Sequence, residues 1–114
     1  MIFKLKAHYF GRTVTVIADN NWQEVLAKKG KFNDLSTIED WLGGFFTSLD
    51  GEWFICLNEN PGIGTITHEV VHFVNEIFAF IGYAPDVRND EMQAYMISYF
   101  TEEIFKKIYN NNKM

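Results

Sequence analysis

Residues 65–81 read TITHEVVHFVNEIFAFI, and this stretch decides the fold that we expect for the second half of the chain. Its apolar residues recur three and four positions apart, which is the spacing of one face of an α-helix. The Thr65 side-chain oxygen can accept a hydrogen bond from a free backbone N–H at the start of such a helix. The sequence therefore predicts a long helix from Thr65 to about Ile81, with His68 and His72 near its beginning.

A second long helix is predicted from near Asp90 to Tyr109. The segment 82–85 (GYAP) ends the first helical pattern, because glycine and proline interrupt helices. Apolar residues then return at helical spacing until the Asn-rich tail. We expect the two helices to be neighbours.

The first half of the chain indicates strands. Residues Ile2 to Tyr9 alternate in polarity and Arg12 to Ala18 are rich in β-branched residues, which predicts a hairpin around Gly11. A second hairpin is predicted from Phe45 to Leu49 and Glu52 to Leu57, with Asp50-Gly51 as a two-residue turn. The second hairpin ends in a strand with two apolar faces, so we expect both of its faces to be covered.

Short helical segments are predicted between the two hairpins. The first runs from about Trp22 to Lys29, with the Asn21 side chain as its N-cap and Gly30 as a left-handed stop. Ser36 and Glu39 have capping-box spacing, which predicts one or two further helical turns that end at Gly43-Gly44. The expected fold is α+β: one domain over residues 1–114, with a small, mostly antiparallel sheet built from the two hairpins and packed against the helices.

Composition limits the classes of function. The 114 residues carry a net charge of −5, from 15 acidic and 10 basic side chains, and the basic residues form only short clusters. A nucleic-acid surface needs a larger basic stripe, so we expect no nucleic-acid partner. The chain has one cysteine, Cys56, which excludes an internal disulfide and favours the reducing cytoplasm. No apolar run approaches the length of a membrane span, so we expect no membrane partner.

The spacing of His68 and His72 indicates a metal site. Residues four apart lie on one face of a helix, so the two imidazoles can reach a common ion. Glu69 lies about 100 degrees around the helix, where its carboxylate can act as general base on a metal-activated water. Without a metal, the histidines would be hydrogen-bonded polar residues of a core helix. Glu69 would then be an exposed carboxylate near the helix N-terminus, where its negative charge complements the helix dipole.

A catalytic zinc ion usually takes three protein ligands and leaves a fourth position for water. Three acids downstream of the histidines could supply the third ligand: Asp86, Asp90 and Glu91. We favour Glu91, because it begins a helical face that continues through Ala94, Tyr95 and Ser98. A small Ala94 would allow close packing on the histidine helix. In the alternative interpretation, Glu91 is an ordinary first-turn acid.

The run His68-Glu69-Val70-Val71-His72, followed by Glu91-Met92-Gln93-Ala94-Tyr95, resembles the gluzincin pattern of HExxH and a downstream ExxA on a second helix. That pattern occurs in small bacterial and bacteriophage minimal metallopeptidases, and the resemblance spans about residues 52–105. It implies a zincin-like fold, Zn²⁺ bound by His68, His72 and Glu91, and Glu69 as general base. It also implies peptide-bond hydrolysis in an extended protein or peptide substrate, held by an edge strand at 53–58.

The resemblance leaves parts of the site open. Tyr95 stands where many gluzincins have an acidic residue that orients a histidine, so that partner is unassigned. Tyr83, Tyr95 and Tyr109 could each stabilise an oxyanion, and nothing in the sequence selects among them. Two other functional classes stay open: a catalytically idle zincin-like module that binds a partner protein through its sheet edge, and a metal-free protein with an accidental motif.

Overall fold

A computed structural model of the chain describes residues 1–7, 11–30, 32, 42–84, 86–88 and 90–110. The described elements form an α+β fold, as the sequence predicted, and divide into two compact units, Met1–Pro61 and Gly62–Met114. Each unit is described by itself below. The first contains four strands and a short helix, and the second contains two long helices.

The first unit is a four-stranded sheet in the order β1-β2-β4-β3. Its strands are β1 (Ile2–Ala7), β2 (Arg12–Ala18), β3 (Gly43–Thr47) and β4 (Trp53–Leu57). The two predicted hairpins are confirmed, since β1 pairs antiparallel with β2 and β3 with β4. The sheet is nevertheless mixed, because the second strands of the two hairpins, β2 and β4, meet in parallel at its centre.

The central position of β4 overturns the expected substrate edge. This strand is hydrogen-bonded to β2 on one side and to β3 on the other, so its backbone offers no free edge to an extended peptide. The prediction for residues 53–58 is therefore wrong, and the edges of the sheet are β1 and β3. All five residues of β4 are buried, which confirms that both of its faces are covered.

The turn between β3 and β4 is one residue longer than predicted. The Gly51 N–H donates to the Ser48 carbonyl at 3.0 Å, and the Ser48 N–H donates to the Glu52 carbonyl at 2.8 Å, which leaves residues 49–51 as a three-residue loop. Gly51 has a φ of 85°, a value that glycine adopts without the steric cost of a Cβ. This geometry is typical of three-residue hairpins with a left-handed glycine at the third position.

The short helix α1 (Trp22–Ala27) packs on one face of the sheet. The buried cluster between helix and sheet is formed by residues of α1, β2 and β4: Ile17, Trp22, Leu26, Phe54 and Cys56. Asn21 is the N-cap residue, as predicted, but its side chain makes no cap bond. Its backbone N–H instead donates to Asp19 Oδ1 at 2.7 Å. Gly30 has a φ of 65°, as expected for a stop residue.

The further helical turns predicted from Ser36 and Glu39 lie outside the described residues. Gly43 and Gly44, which we expected to end those turns, instead begin β3. A Cβ on Gly44 would lie 2.7 Å from the Phe46 ring, so any other residue at this position would require the ring to shift. Both glycines thus belong to a strand rather than ending a helix, and Gly44 makes room for the Phe46 ring there.

The second unit consists of α2 (Ile63–Phe80) and α3 (Glu91–Tyr109), both within one or two residues of the predicted bounds. Gly62 is the N-cap of α2, so Thr65 lies inside the helix and its predicted capping role is wrong. The helices pack on each other: the Phe73 and Phe100 rings are 4.9 Å apart, edge to face, and Gln93 donates to Asn75 at 2.9 Å. Among the described residues, no helix combines the length and apolar character needed to cross a bilayer.

Candidate metal site on the first long helix

The two histidines of the motif lie one turn apart on α2, as their spacing predicted. Their ring centroids are 5.0 Å apart and the ring planes are inclined at 76°. Both side chains are exposed, whereas Phe73 and Ile77 on the apolar face of the same helix are fully buried. The histidines are therefore not part of the buried core face of the helix.

Glu69 lies between the two histidines in sequence and differs from them in burial. Its side chain is 6% exposed. Burial raises the pKa of this carboxyl group above its ordinary value, while the nearby charges of His68 and then His72 act in the opposite direction. A buried carboxylate is costly unless it is paired with a cation or a hydrogen-bond donor. The charges that favour ionised Glu69 come from the same two histidines.

The three side chains form one group. One ligand atom of each of His68, Glu69 and His72 can be chosen so that all three lie within 4.8 Å of one another. Two nitrogens bound to one tetrahedral zinc ion lie about 3.4 Å apart, since each Zn–N bond is about 2.0–2.1 Å long. Small side-chain rotations would reach that separation, so the donor set fits a zinc ion. It is not specific to zinc, because imidazole and carboxylate also suit other transition metals.

Glu91 is not a member of this group. It is the first residue of α3 and its side chain is exposed. Phe100, which contacts Phe73 of α2, lies nine positions further along, or two and a half helical turns at about 100 degrees per residue. Glu91 thus lies on the side of α3 opposite to Phe100. The structure brings together three of the four predicted site residues, and Glu91 as a ligand stays a prediction from the motif.

The helical face expected to carry Glu91 against α2 is not the packed face. Ala94, Tyr95 and Ser98 are exposed, so the predicted close approach at Ala94 is wrong. The buried residues of α3 lie on another face: Met96, Phe100, Thr101 and Ile104. The larger apolar side chains of that face bury more surface, which explains why the helix turns it inward.

The remaining acids that we considered lie outside the group as well. Asp86 accepts a hydrogen bond from the Arg88 backbone N–H at 2.9 Å, as expected of an acid in a turn. Asp90 is the N-cap residue of α3, without a side-chain cap bond. A further acid of α2, Glu76, lies one turn beyond His72, is half-buried and is not a member of the group either. No described contact connects these acids to the histidines.

None of the three tyrosines is singled out as an oxyanion donor. Tyr83 packs on Phe78, Tyr95 stacks on Tyr99, and Tyr109 packs on Phe105. Cys56 is fully buried in the core of the first unit, in agreement with a structural rather than a nucleophilic role.

The structure adds two polar features that the sequence did not indicate. The Asn75–Gln93 hydrogen bond links α2 to α3. The Thr101 hydroxyl is a buried side-chain oxygen without a hydrogen-bond partner among the described residues. Neither feature follows from a fixed spacing of residue types, so no sequence signal could have found them.

A scan of protein-family models, a search of curated proteins and a search of solved structures each found no match to this chain. The argument for function therefore depends on the residues and geometry of the site itself.

Proposed function

We propose that this chain is a zinc-dependent hydrolase of peptide bonds, a minimal metallopeptidase of the gluzincin type. One observation carries the proposal: His68, Glu69 and His72 present their ligand atoms within 4.8 Å of one another on one helix, in HExxH order. The histidines are exposed to ligands while the glutamate between them is buried. This arrangement is unusual for a helix without a function, since a glutamate is seldom buried unless its carboxylate is paired.

In this proposal the two exposed histidines bind the metal and the buried Glu69 transfers the proton. His68 and His72 hold the ion from the exposed side of α2. A bound zinc ion would polarise the substrate carbonyl and lower the pKa of a water molecule to about 7. The Glu69 carboxylate would accept the proton of that water and pass it to the leaving amine. Because burial raises the pKa of Glu69, its ionised form is a stronger base than an exposed glutamate.

Glu91 is proposed as the third ligand on the strength of the motif. It follows His72 on the next helix, which is where gluzincins carry this residue, and it has carboxylate chemistry suited to zinc. Its exposed position leaves the side chain accessible. The zinc affinity of a Glu91 variant, considered in the Discussion, tests this part separately.

The proposal is tested first by metal analysis and then by one substitution. Freshly purified protein should contain close to one zinc ion per chain and should cleave an unfolded substrate such as fluorescein-labelled casein. Glu69→Gln should keep the zinc and lose about 10²- to 10⁴-fold in rate, the usual contribution of a general base. Glu76→Gln, on the same helix, is the matched control and should retain full activity.

Two results would contradict the proposal. Protein that binds no zinc at micromolar concentrations cannot act in this way. Full activity in Glu69→Gln would exclude Glu69 as the base.

A second function is favoured by the position of Glu91 outside the group. A site with only the α2 residues as ligands suits a catalytically idle module that binds a partner protein through a sheet edge. Spectroscopy of the Co²⁺-substituted protein separates the two functions. A coordination position open to water or an added anion favours the enzyme, and a fourth protein ligand favours the module.

A further inference from the structure

One edge of the sheet in the first unit is β1, and its pairing with β2 leaves a defined set of its backbone groups pointing outward. The Met1 and Ala18 backbones exchange two hydrogen bonds, of 2.9 and 3.0 Å. In an antiparallel ladder such hydrogen-bonded pairs recur every second residue, here at residues 1, 3, 5 and 7 of β1. The N–H and C=O groups of Ile2, Lys4 and Lys6 therefore point away from β2, toward the open side of the sheet.

The side chains along this edge are divided by polarity between the two faces. Ile2, Lys4 and Lys6 lie on one face and are exposed. On the other face Leu5 and Ala7 are buried and Phe3 is half-buried. Among the residues that the structure describes, neither lysine forms an ion pair. Within the described part of the chain, the edge thus presents two ammonium groups without an ion-pair partner, two residues apart, beside outward-pointing backbone donors and acceptors.

The two positive charges determine which strand this edge can accept. Lysine on an edge strand opposes pairing with like strands. A second copy of β1 in antiparallel register would place lysines next to lysines, so self-association through this edge is disfavoured. The same charges favour an acidic strand, because oppositely charged residues directly across a ladder stabilise the pairing by about 0.2–1 kcal/mol each.

An open recess lies at the hairpin end of the same edge. It is lined by Lys6, Ala7, Gly11, Arg12 and Thr13. The Arg12 guanidinium contacts the Gly51 carbonyl and the Trp53 ring, which lie on the β4 side of β2, away from β1. The recess adds the Thr13 hydroxyl group beside Lys6. An acidic side chain at the end of a paired strand would find the Lys6 ammonium group and this hydroxyl group side by side.

We infer that β1 is a docking edge for an extended acidic segment of a partner protein, which adds a fifth strand to the sheet. The segment carries Asp or Glu at alternate positions, opposite Lys4 and Lys6, and apolar residues between them that continue the face of Phe3 and Leu5. Backbone hydrogen bonds to Ile2, Lys4 and Lys6 supply the affinity and the two lysines supply the choice of partner. This inference does not depend on a metal or on hydrolysis.

The probe is a fluorescein-labelled nine-residue peptide of alternating Glu and Val, titrated with the full chain in the presence of a metal chelator and followed by fluorescence anisotropy. A peptide with Lys in place of Glu is the charge control. The double variant Lys4→Glu/Lys6→Glu should bind the Glu/Val peptide at least tenfold more weakly than the native chain and should gain binding to the Lys/Val peptide. Lys28→Glu/Lys29→Glu makes the same charge change at the exposed end of α1 and should bind like the native chain.

Hydrogen exchange separates strand pairing from general charge attraction. The Glu/Val peptide should slow exchange of the Ile2, Lys4 and Lys6 amides, which point outward in the free chain. The inference is overturned by absence of binding at 1 mM peptide, by equal losses in the two double variants, or by protection that lies elsewhere. Because the chelator removes bound metal, failure here leaves the proposed hydrolase untouched, and loss of zinc binding leaves this edge untouched.

Discussion

The beginnings of α2 and α3 each carry a glutamate of the predicted zinc site, and the two glutamates have different surroundings. Both helices start without a side-chain cap bond, at Gly62 and Asp90. Glu69 lies nearly two turns into α2 and is almost fully buried. Glu91 is the first residue of α3 and is exposed.

The difference shows which glutamate requires a functional explanation. An acid in the first turn is stabilised by free backbone N–H groups and by the helix dipole, with or without a metal, so Glu91 would be favourable in an inert protein. Glu69 lies beyond that first turn and bears a desolvation cost. A group that destabilises the fold at this position is typical of a functional site, where pKa values are perturbed for a task.

The largest expected effect comes from the contact that holds the two helices together. Phe100→Ala removes an aromatic ring that is 2% exposed and packs on Phe73, so the free energy of unfolding should fall by about 3–5 kcal/mol. Urea denaturation measures the change, with the milder Phe100→Leu available if the alanine variant does not fold. Met92→Ala, at a position that is 58% exposed, should change stability by less than about 0.5 kcal/mol. A loss below 1 kcal/mol at Phe100 would mean that the helix pair does not depend on this contact.

The next effect concerns the exposed histidines of α2. His72→Ala should weaken zinc binding by more than about 100-fold, because loss of even an outer-shell partner costs about 10–100-fold. Competition with a chromogenic chelator measures the dissociation constant. Glu76→Gln changes another polar side chain, one turn further along α2, and should leave zinc affinity unchanged. Equal affinity in His72→Ala and the native chain would place the ion elsewhere.

The sequence predicted the elements of this fold well and their arrangement less well. Both hairpins and both long helices follow from local patterns: alternation in β1, β-branched residues in β2, and helical spacing after Gly62. The parallel pairing of β2 with β4 is a contact between distant segments, and nothing local in either strand specifies its partner. The assumption that β4 was an edge failed for the same reason.

The site shows the same division between local and distant information. His68, Glu69 and His72 belong to one helix, so helix geometry alone brings them together and the spacing was sufficient to predict the group. Glu91 must reach them from a second helix, and its approach depends on which face of α3 packs. The sequence suggested the Ala94 face, whereas the bulkier residues around Phe100 form the buried face.

A smaller effect is expected at Glu91, which the motif predicts as a zinc ligand although its side chain is exposed and lies outside the group on α2. If Glu91 is the third ligand, Glu91→Gln should weaken zinc binding at least tenfold, or about 1.4 kcal/mol. Glu102→Gln, which removes an exposed charge further along α3, controls for the change in net charge. Unchanged zinc affinity in Glu91→Gln would remove Glu91 from the site and reduce the resemblance to the HExxH segment alone.

The smallest effect is a dependence of stability on pH that arises from the buried carboxyl group of Glu69. Burial raises the pKa of Glu69 in the folded chain above its ordinary value of 4.5, so the folded state binds this proton more tightly than the unfolded state does. The contribution of Glu69 to stability is therefore fully present below the unfolded pKa and is lost as pH rises through the folded pKa. Metal-free Glu69→Gln lacks this loss and should melt at a higher temperature than the native chain at pH 7.5. The two proteins should converge near pH 4, and Glu76→Gln should show no such pH-dependent gain. Thermal melts in the presence of a chelator measure the difference, and a metal-free Glu69→Gln chain less stable than the native one at pH 7.5 would mean that the buried carboxylate contributes to the fold after all.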